Sequence, residues 1–269
     1  MPQDASAMRP PNAKSRPVVL SIAGYDPSSG AGVTADIKTI AAHGCYGVTC
    51  ITALTVQSSR GVQRVEGVEG HIITETLEEL VSDVDIAAVK IGMLGSAEAA
   101  RSVAAFLKRH RPAHVVLDPI LRSSSGTELL SRDGFRILKE RILGMAYVIT
   151  PNIEEAAALT GLSVSSVPEM ESAAQSLRQT GIKNVIITGG HLDPPMDLIS
   201  EANKHPVVLS GVKIVSPSTH GTGCAFSTSL ACRLALGNNL AESAKAAKHH
   251  VESLLKNALP IGKGIGPVV

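Results

Sequence analysis

The chain has no Trp and only three Tyr and three Phe among 269 residues. A core made without aromatics must be built from Ala, Val, Ile and Leu, and an apolar fraction of 44% supplies enough of them. Charge of one sign is also missing, with 25 basic against 24 acidic residues. That balance argues against a nucleic-acid or membrane-surface partner, both of which need a sustained field. The one basic cluster, Lys108, Arg109, His110 and Arg111, reads as the solvated end of a helix. No apolar run approaches the roughly 18–20 residues of a membrane span. The four Cys (Cys45, Cys50, Cys224 and Cys232) form no CxxC pair and fit no zinc spacing. A chain this long needs no disulfide framework, so a reducing cytoplasm is the expected location. Residues 1–16 are polar and Pro-rich without an apolar stretch, which predicts a disordered tail rather than a signal peptide.

What is present is alternation. Short β-branched runs (Val18–Ile22, Val48–Leu54, Ala87–Ile91, Val115–Leu117, Tyr147–Thr150, Val185–Thr188) alternate with Ala/Leu-rich runs of helical spacing. Those helical runs are Val33–His43, Thr74–Val81, Ala97–Arg109, Gly134–Arg141, Glu154–Thr160, Glu169–Gln179, Gly223–Ala235 and Ala241–Lys256. Strand–helix alternation predicts βαβ units and a mostly parallel sheet. Continuous apolar strands predict helices on both faces. The fold class expected is therefore α/β and doubly wound, as one domain over residues 17–269. Ser58–Gly70 and Asp193–Val212 are less regular and read as loops or small hairpins on one rim. Ligands of such sheets bind beyond the carboxyl ends of the strands. Gly24–Gly32, Gly92-Met93, Asp118-Pro119, Pro151-Asn152 and Gly189-Gly190 fall there.

The sharpest motif is His220-Gly221-Thr222-Gly223-Cys224, running straight into a helical stretch. Glycines let backbone approach a ligand, and a helix start offers free N–H groups and a positive dipole end, an anion site. Cys224 in the first turn is placed where a thiolate is favoured, as a base or nucleophile. A Gly-rich helix start with a buried Cys fits the same spacing. Gly30-Ala31-Gly32-Val33-Thr34-Ala35 matches the loose GxGxxA pattern of dinucleotide sites, but no acidic residue stands at the end of the second strand, and no GxxxxGK[ST] loop exists. Asp118 at a strand end suits Mg²⁺ held through water, or a turn. Asn152 and Glu155 at a helix start suit either a metal water or a helix cap. His249-His250 and the Pro-interrupted His110/His114 pair are not metal sites.

Taken together, the motifs resemble the ribokinase superfamily, and more narrowly the hydroxymethylpyrimidine and phosphomethylpyrimidine kinases of thiamine biosynthesis. The resemblance runs from about Val18 to Leu255. It rests on Ser21–Gly32, Ala35–Thr39, Ala53–Gln57, Val89–Leu94, Leu117–Pro119, Ser125-Gly126, Ile149–Ala156, Gly189–Leu192 and Thr219–Cys224, in the family's order. It implies a ribokinase-like fold and ATP-dependent phosphorylation of a hydroxymethyl group on a pyrimidine. By that resemblance Asp36, Gln57 and Met93, with backbone at Gly24, hold the ring. Cys224 is the catalytic base, and the amides of Gly221, Thr222 and Gly223 form an anion hole. Asp118 and Glu155 act on Mg²⁺ through water, and Asn152, Thr188 and Lys248 lie along the ATP site. It also implies a homodimer.

Departures concern the substrate. Tyr25 replaces a small residue, Ser58-Ser59 replaces Asn-Thr, Leu121-Arg122 replaces small or apolar residues, and Thr188 replaces Lys. Pyridoxal kinases with the same Gly-Thr-Gly-Cys loop remain an alternative, as does a binding protein derived from a kinase.

Overall fold

The computed structural model describes residues 16–123 and 125–269. Of the tail expected at 1–16, residues 1–15 lie outside the described residues. One nine-stranded sheet organises the rest, in the order β3-β2-β1-β4-β5-β6-β7-β8-β9. Its strands are β1 (Val18–Tyr25), β2 (Tyr46–Ser58), β3 (Gly61–Gly67), β4 (Ile86–Ile91), β5 (Val115–Leu117), β6 (Val148–Ile149), β7 (Val185–Gly189), β8 (Met196–Ser200) and β9 (Val207–Ser210). β2, β1, β4, β5, β6 and β7 are parallel neighbours, and β3, β8 and β9 add antiparallel edges.

Among the described residues, eight α-helices cover the faces: α1 (Gly32–Ala42), α2 (Gly70–Asp83), α3 (Ala97–His110), α4 (Arg132–Ile137), α5 (Ile153–Thr160), α6 (Val167–Gln179), α7 (Thr222–Ala235) and α8 (Leu240–Asn257). The strands show why both faces need cover. Leu20, Ile22, Val89, Ile91, Val115, Leu117, Val185 and Ile187 enter the core beneath α2–α6. Their neighbours Val19, Ala88, Val116 and Ile186 enter the core beneath α1, α7 and α8. Side chains alternate across a strand, so an all-apolar strand is stable only between two helical layers.

The two irregular rims of the sequence are hairpins. Ser58–Gly70 contains the β2–β3 turn, and β3 pairs back on β2 through Leu54↔Glu66 and Val56↔Arg64. Asp193–Val212 holds β8 and β9, which extend the sheet beyond β7. Winding reverses between β1 and β4, since the chain runs outward through β2 and β3 before returning on the other side of β1. A crevice opens at such a reversal, beyond the carboxyl ends of the strands.

Candidate active site

A cavity of about 910 Å³ occupies that crevice. Its wall joins the β1–α1 loop (Gly24, Tyr25, Asp26, Ala31, Gly32), the β2–β3 hairpin (Thr55, Gln57, Val62), and Met93 and Asp118 after β4 and β5. Leu121 and Arg122 beyond β5, Asn152 and Glu155 at the start of α5, Thr188 of β7 and the run Thr219–Cys224 also line it. Segments far apart in sequence thus converge because each follows a strand.

The α7 start forms the floor. Gly221 takes a left-handed φ of 91°, and a Cβ there would collide with the Gly30 carbonyl. Only glycine lets the two loops touch. The first-turn N–H groups of α7 have no partner within the helix and sit at its positive end. A Cβ on Gly223 would come 3.8 Å from Asp118 Oδ2, so the open helix start and the carboxylate are adjacent. Ser227, one turn on, donates its hydroxyl to the same Oδ2 at 3.0 Å. Gly24 is small for a similar reason, because a Cβ there would meet Met93 Sδ at 2.9 Å.

Asp118 and Glu155 are both buried in the wall. Burial pushes both carboxyls above the ordinary range, and the charge of Asp118 raises Glu155 further. Lys90 and the Ser227 hydroxyl oppose the rise at Asp118. Glu155 also forms a capping box, with Asn152 N–H donating to its Oε2 at 2.9 Å and Glu155 N–H donating to Asn152 Oδ1 at 2.8 Å. Its capping role and its place on the cavity are therefore not alternatives. Two oxygen acids short of positive charge suit a hard cation such as Mg²⁺. Among the described residues no cluster of three His, Cys, Asp or Glu could hold an ion outright. Such a cation would take its other ligands from water and bound phosphate.

Three expectations need correction. Asp36 is not on the cavity wall. It is fully buried, accepting from Ser21 Oγ at 2.5 Å, Thr228 Oγ1 at 2.6 Å and Lys90 Nζ at 2.9 and 3.0 Å. Both of its oxygens are engaged by β1, β4 and α7, and so it ties those three elements together beneath the site. Lys248 is also away from the wall, donating to Asp197 Oδ2 at 2.7 Å behind Gly189. Cys224 is on the wall, but its thiolate is not favoured. Burial pushes the thiol up to about 12, and the charges of Asp36 and Asp118 add to that against Lys90 and the Gly32 N–H. Desolvation outweighs the helix dipole at this depth.

The remaining expected residues, Gly24, Gln57, Met93, Asn152, Thr188, Gly221, Thr222 and Gly223, all reach the cavity. Lys90, Asp26 and His220 lie within the matched motifs, but sequence reasoning assigns them no role. Lys90 is 0% exposed, and the Asp36 carboxylate keeps it charged against the cost of burial. A lysine inside the apolar run Ile86–Ile91 signals a buried partner, since a bare charge there is untenable. Asp26 and His220 stand 2.8 Å apart across the cavity mouth, though 194 positions separate them in sequence. No spacing in the sequence reveals that pair.

The phosphomethylpyrimidine kinase family model matches residues 26–269. The hydroxymethylpyrimidine/phosphomethylpyrimidine kinase of Haemophilus influenzae is 40% identical over 93% of this chain and 94% of its own. A thiamine biosynthesis bifunctional protein of Geobacter sulfurreducens is 41% identical over 93% of this chain, which spans about half (51%) of that longer protein. Among solved structures, the phosphomethylpyrimidine kinase of Clostridium difficile is similar at 35% identity and TM-score 0.79, covering 88% of this chain and 99% of that one. An ADP complex of Bacillus subtilis pyridoxal kinase is similar at 31% identity and TM-score 0.86, covering 94% and 97%.

Proposed function

From the premise that this chain belongs to the phosphomethylpyrimidine kinase family, we propose that it transfers the γ-phosphoryl group of ATP to the hydroxymethyl oxygen of 4-amino-5-hydroxymethyl-2-methylpyrimidine, of its monophosphate, or of both, in thiamine biosynthesis. It is a phosphotransferase, and residues 17–269 act as one kinase unit. The observation that carries the reading is the open start of α7 beside Asp118 and Glu155. A cavity that offers an anion site next to two buried carboxylates suits a phosphate chain held with a divalent cation.

Phosphoryl transfer asks a protein chiefly for positioning and for stabilisation of charge spread over the phosphoryl oxygens. The N–H groups of Gly221, Thr222 and Gly223 supply that stabilisation, fixed before the reaction by the tight Gly221 turn. Gln57 and Met93, over the open backbone at Gly24, hold the ring with its hydroxymethyl group toward Cys224. Cys224 is protonated at rest, so to act as base it would first yield that proton to water in the open cavity; the thiolate would then accept the proton of the substrate hydroxyl as that oxygen attacks the γ-phosphorus. Lys90, charged beneath it, favours that change. Asp118 and Glu155 would hold Mg²⁺ through water, where the ion would neutralise phosphate charge. Asn152 and Thr188 line the remaining length for the nucleotide.

A pyridoxal substrate is the second reading, favoured by the similarity to the Bacillus subtilis pyridoxal kinase. Cytoplasmic placement is favoured by four free cysteines, all buried. Among the described residues no helix is long and apolar enough to cross a membrane. A homodimer is favoured by the exposed outer face of the β2–β3 hairpin, which carries Leu54 and Val56.

ADP release should be followed with ATP and Mg²⁺ against hydroxymethylpyrimidine, its phosphate and pyridoxal in parallel. Turnover on either pyrimidine, abolished in Cys224→Ala, is the expected result. Turnover on pyridoxal alone would transfer the protein to the second reading. Silence on all three with ATP still bound would overturn the kinase reading.

A further inference from the structure

The ring-binding end of the cavity contains a chain of side chains that the reading above leaves unused. Asp26 Oδ1 accepts from the backbone N–H of Ser28 at 2.8 Å and from its hydroxyl at 2.6 Å. Asp26 Oδ2 accepts from Ala31 N–H at 2.8 Å and Gly30 N–H at 3.2 Å, and lies 2.8 Å from His220 Nε2. His220 Nε2 is in turn 3.1 Å from the amide end of Gln57. The other terminal atom of that amide lies 3.1 Å from Thr55 Oγ1. Asp26, His220, Gln57 and Thr55 all line the cavity.

Proton counting orders this chain. Burial alone would raise Asp26, but hydrogen bonds from His220 and Ser28 outweigh it and hold the carboxyl below its ordinary range. At neutral pH Asp26 is a carboxylate and can only accept. His220 Nε2 therefore carries a proton, and an N–H cannot accept a second one from Gln57. Toward Gln57 it can only donate, in a three-centre bond shared with Asp26. Thr55 fits the same order. Its hydroxyl donates to the Tyr25 carbonyl at 2.9 Å, the shorter of its two contacts, which leaves an oxygen lone pair to accept from Gln57 at 3.1 Å. The structure sets the Gln57 nitrogen toward His220 and its oxygen toward Thr55. Amide oxygen and nitrogen have the same shape and are assigned by their neighbours. Turning the amide end over satisfies both neighbours at unchanged distances.

We propose that Asp26 and His220 are positioning residues that fix the polarity of the Gln57 amide, with its oxygen on the His220 side and its nitrogen on the Thr55 side. One oxygen lone pair and one N–H then remain for the substrate, in that order. The edge this selects presents an amine on the His220 side and a ring nitrogen acceptor on the Thr55 side. A 4-aminopyrimidine has that edge. Its 4-oxo counterpart has nearly the same shape but the reverse polarity, a carbonyl oxygen beside a ring N–H. The inference rests on the pyrimidine-kinase reading and adds how the ring is told from its isostere.

The test compares kcat/KM for the 4-amino and 4-oxo hydroxymethylpyrimidines in wild type, His220→Gln and His220→Leu. Wild type is expected to prefer the amino ring by on the order of a hundredfold, because the wrong ring leaves buried polar groups unpaired. His220→Gln, which can place an NH₂ near the Nε2 position, should keep the preference. His220→Leu should reduce it below about tenfold, with the KM for ATP unchanged. A His220→Leu enzyme with full preference, or a wild type with none, overturns the proposal. If wild type phosphorylates neither ring, the pyrimidine-kinase reading fails first, and the proton count is judged alone by ¹⁵N NMR of histidine-labelled protein. A protonated Nε2 at His220, assigned by its loss in His220→Gln, is expected at neutral pH, and a bare Nε2 overturns the proposal in every case.

Discussion

Lys90 carries a large energetic stake for a single side chain. Its ammonium is fully buried, and Asp36 answers it with two contacts at 2.9 and 3.0 Å. Removing one member of a buried pair strands the other, at a cost of about 3–5 kcal/mol. Lys90→Met should lose stability of that order in urea denaturation, and a loss under about 1 kcal/mol would mean that Asp36 takes up a proton without penalty. Cys224 makes the opposite point about charge. A helix start favours a reactive thiolate, one of the two readings that its spacing allows. Depth reverses it, because burial holds the thiol protonated up to about 12. Iodoacetamide at pH 8 should therefore label Cys224 on the order of a thousandfold more slowly than an unfolded thiol. Labelling at the ordinary rate would show an exposed, ionised sulfur. Motif membership placed both residues near the site. Burial, which no motif displays, decided what each one does.

At the scale of elements, alternation made most strands and helices legible. Val115–Leu117 coincides with β5, and the stretch Ala97–Arg109 falls one residue short of α3. Apolar strands between helices have one stable arrangement, so the parallel, two-faced sheet followed from pattern alone. The two hairpins were harder to resolve. β3 carries Gln63, Arg64 and Glu66, and β8–β9 lies in a stretch broken by Pro194, Pro195 and Pro206, so neither shows a clean apolar period. Both are edge elements, whose pairing depends on the strand beside them. The start of α7 was legible as a Gly-rich helix opening, but the approach of Gly30 to it was not, being 191 positions away. Gly221→Ala tests that contact. A side chain at φ 91° meeting the Gly30 carbonyl must push the two loops apart. Displacing the oxyanion donors should lower kcat by about 10²–10³-fold. The helical circular-dichroism signal should hold, because α7 is packed along most of its length. An unchanged kcat would show that the α7 amides do not touch the transferring group.

For the whole molecule, the β2–β3 hairpin has two faces with different tasks. Ala53, Thr55 and Gln57 alternate toward the buried side and the cavity, whereas Leu54 and Val56 point outward, each 51% exposed. Their cross-strand partners are Glu66 and Arg64, themselves joined at 3.2 Å. Two large apolar residues side by side on an outward strand face suggest a covered surface. A second copy of the chain is the occupant proposed, through self-complementary pairing of the two hairpins. The same strand would then carry the substrate contact on one side and the subunit contact on the other, so dimer formation would stiffen the hairpin that holds Gln57. Light scattering coupled to size exclusion should give twice the 27.9 kDa chain mass for wild type. Leu54→Asp/Val56→Asp should give a single chain mass and raise the KM for the pyrimidine by roughly tenfold, with ATP binding intact, because the ring-binding strand then orders only when substrate binds. A monomeric wild type would overturn the dimer, and a monomeric variant with wild-type KM would show that the hairpin holds its shape unaided.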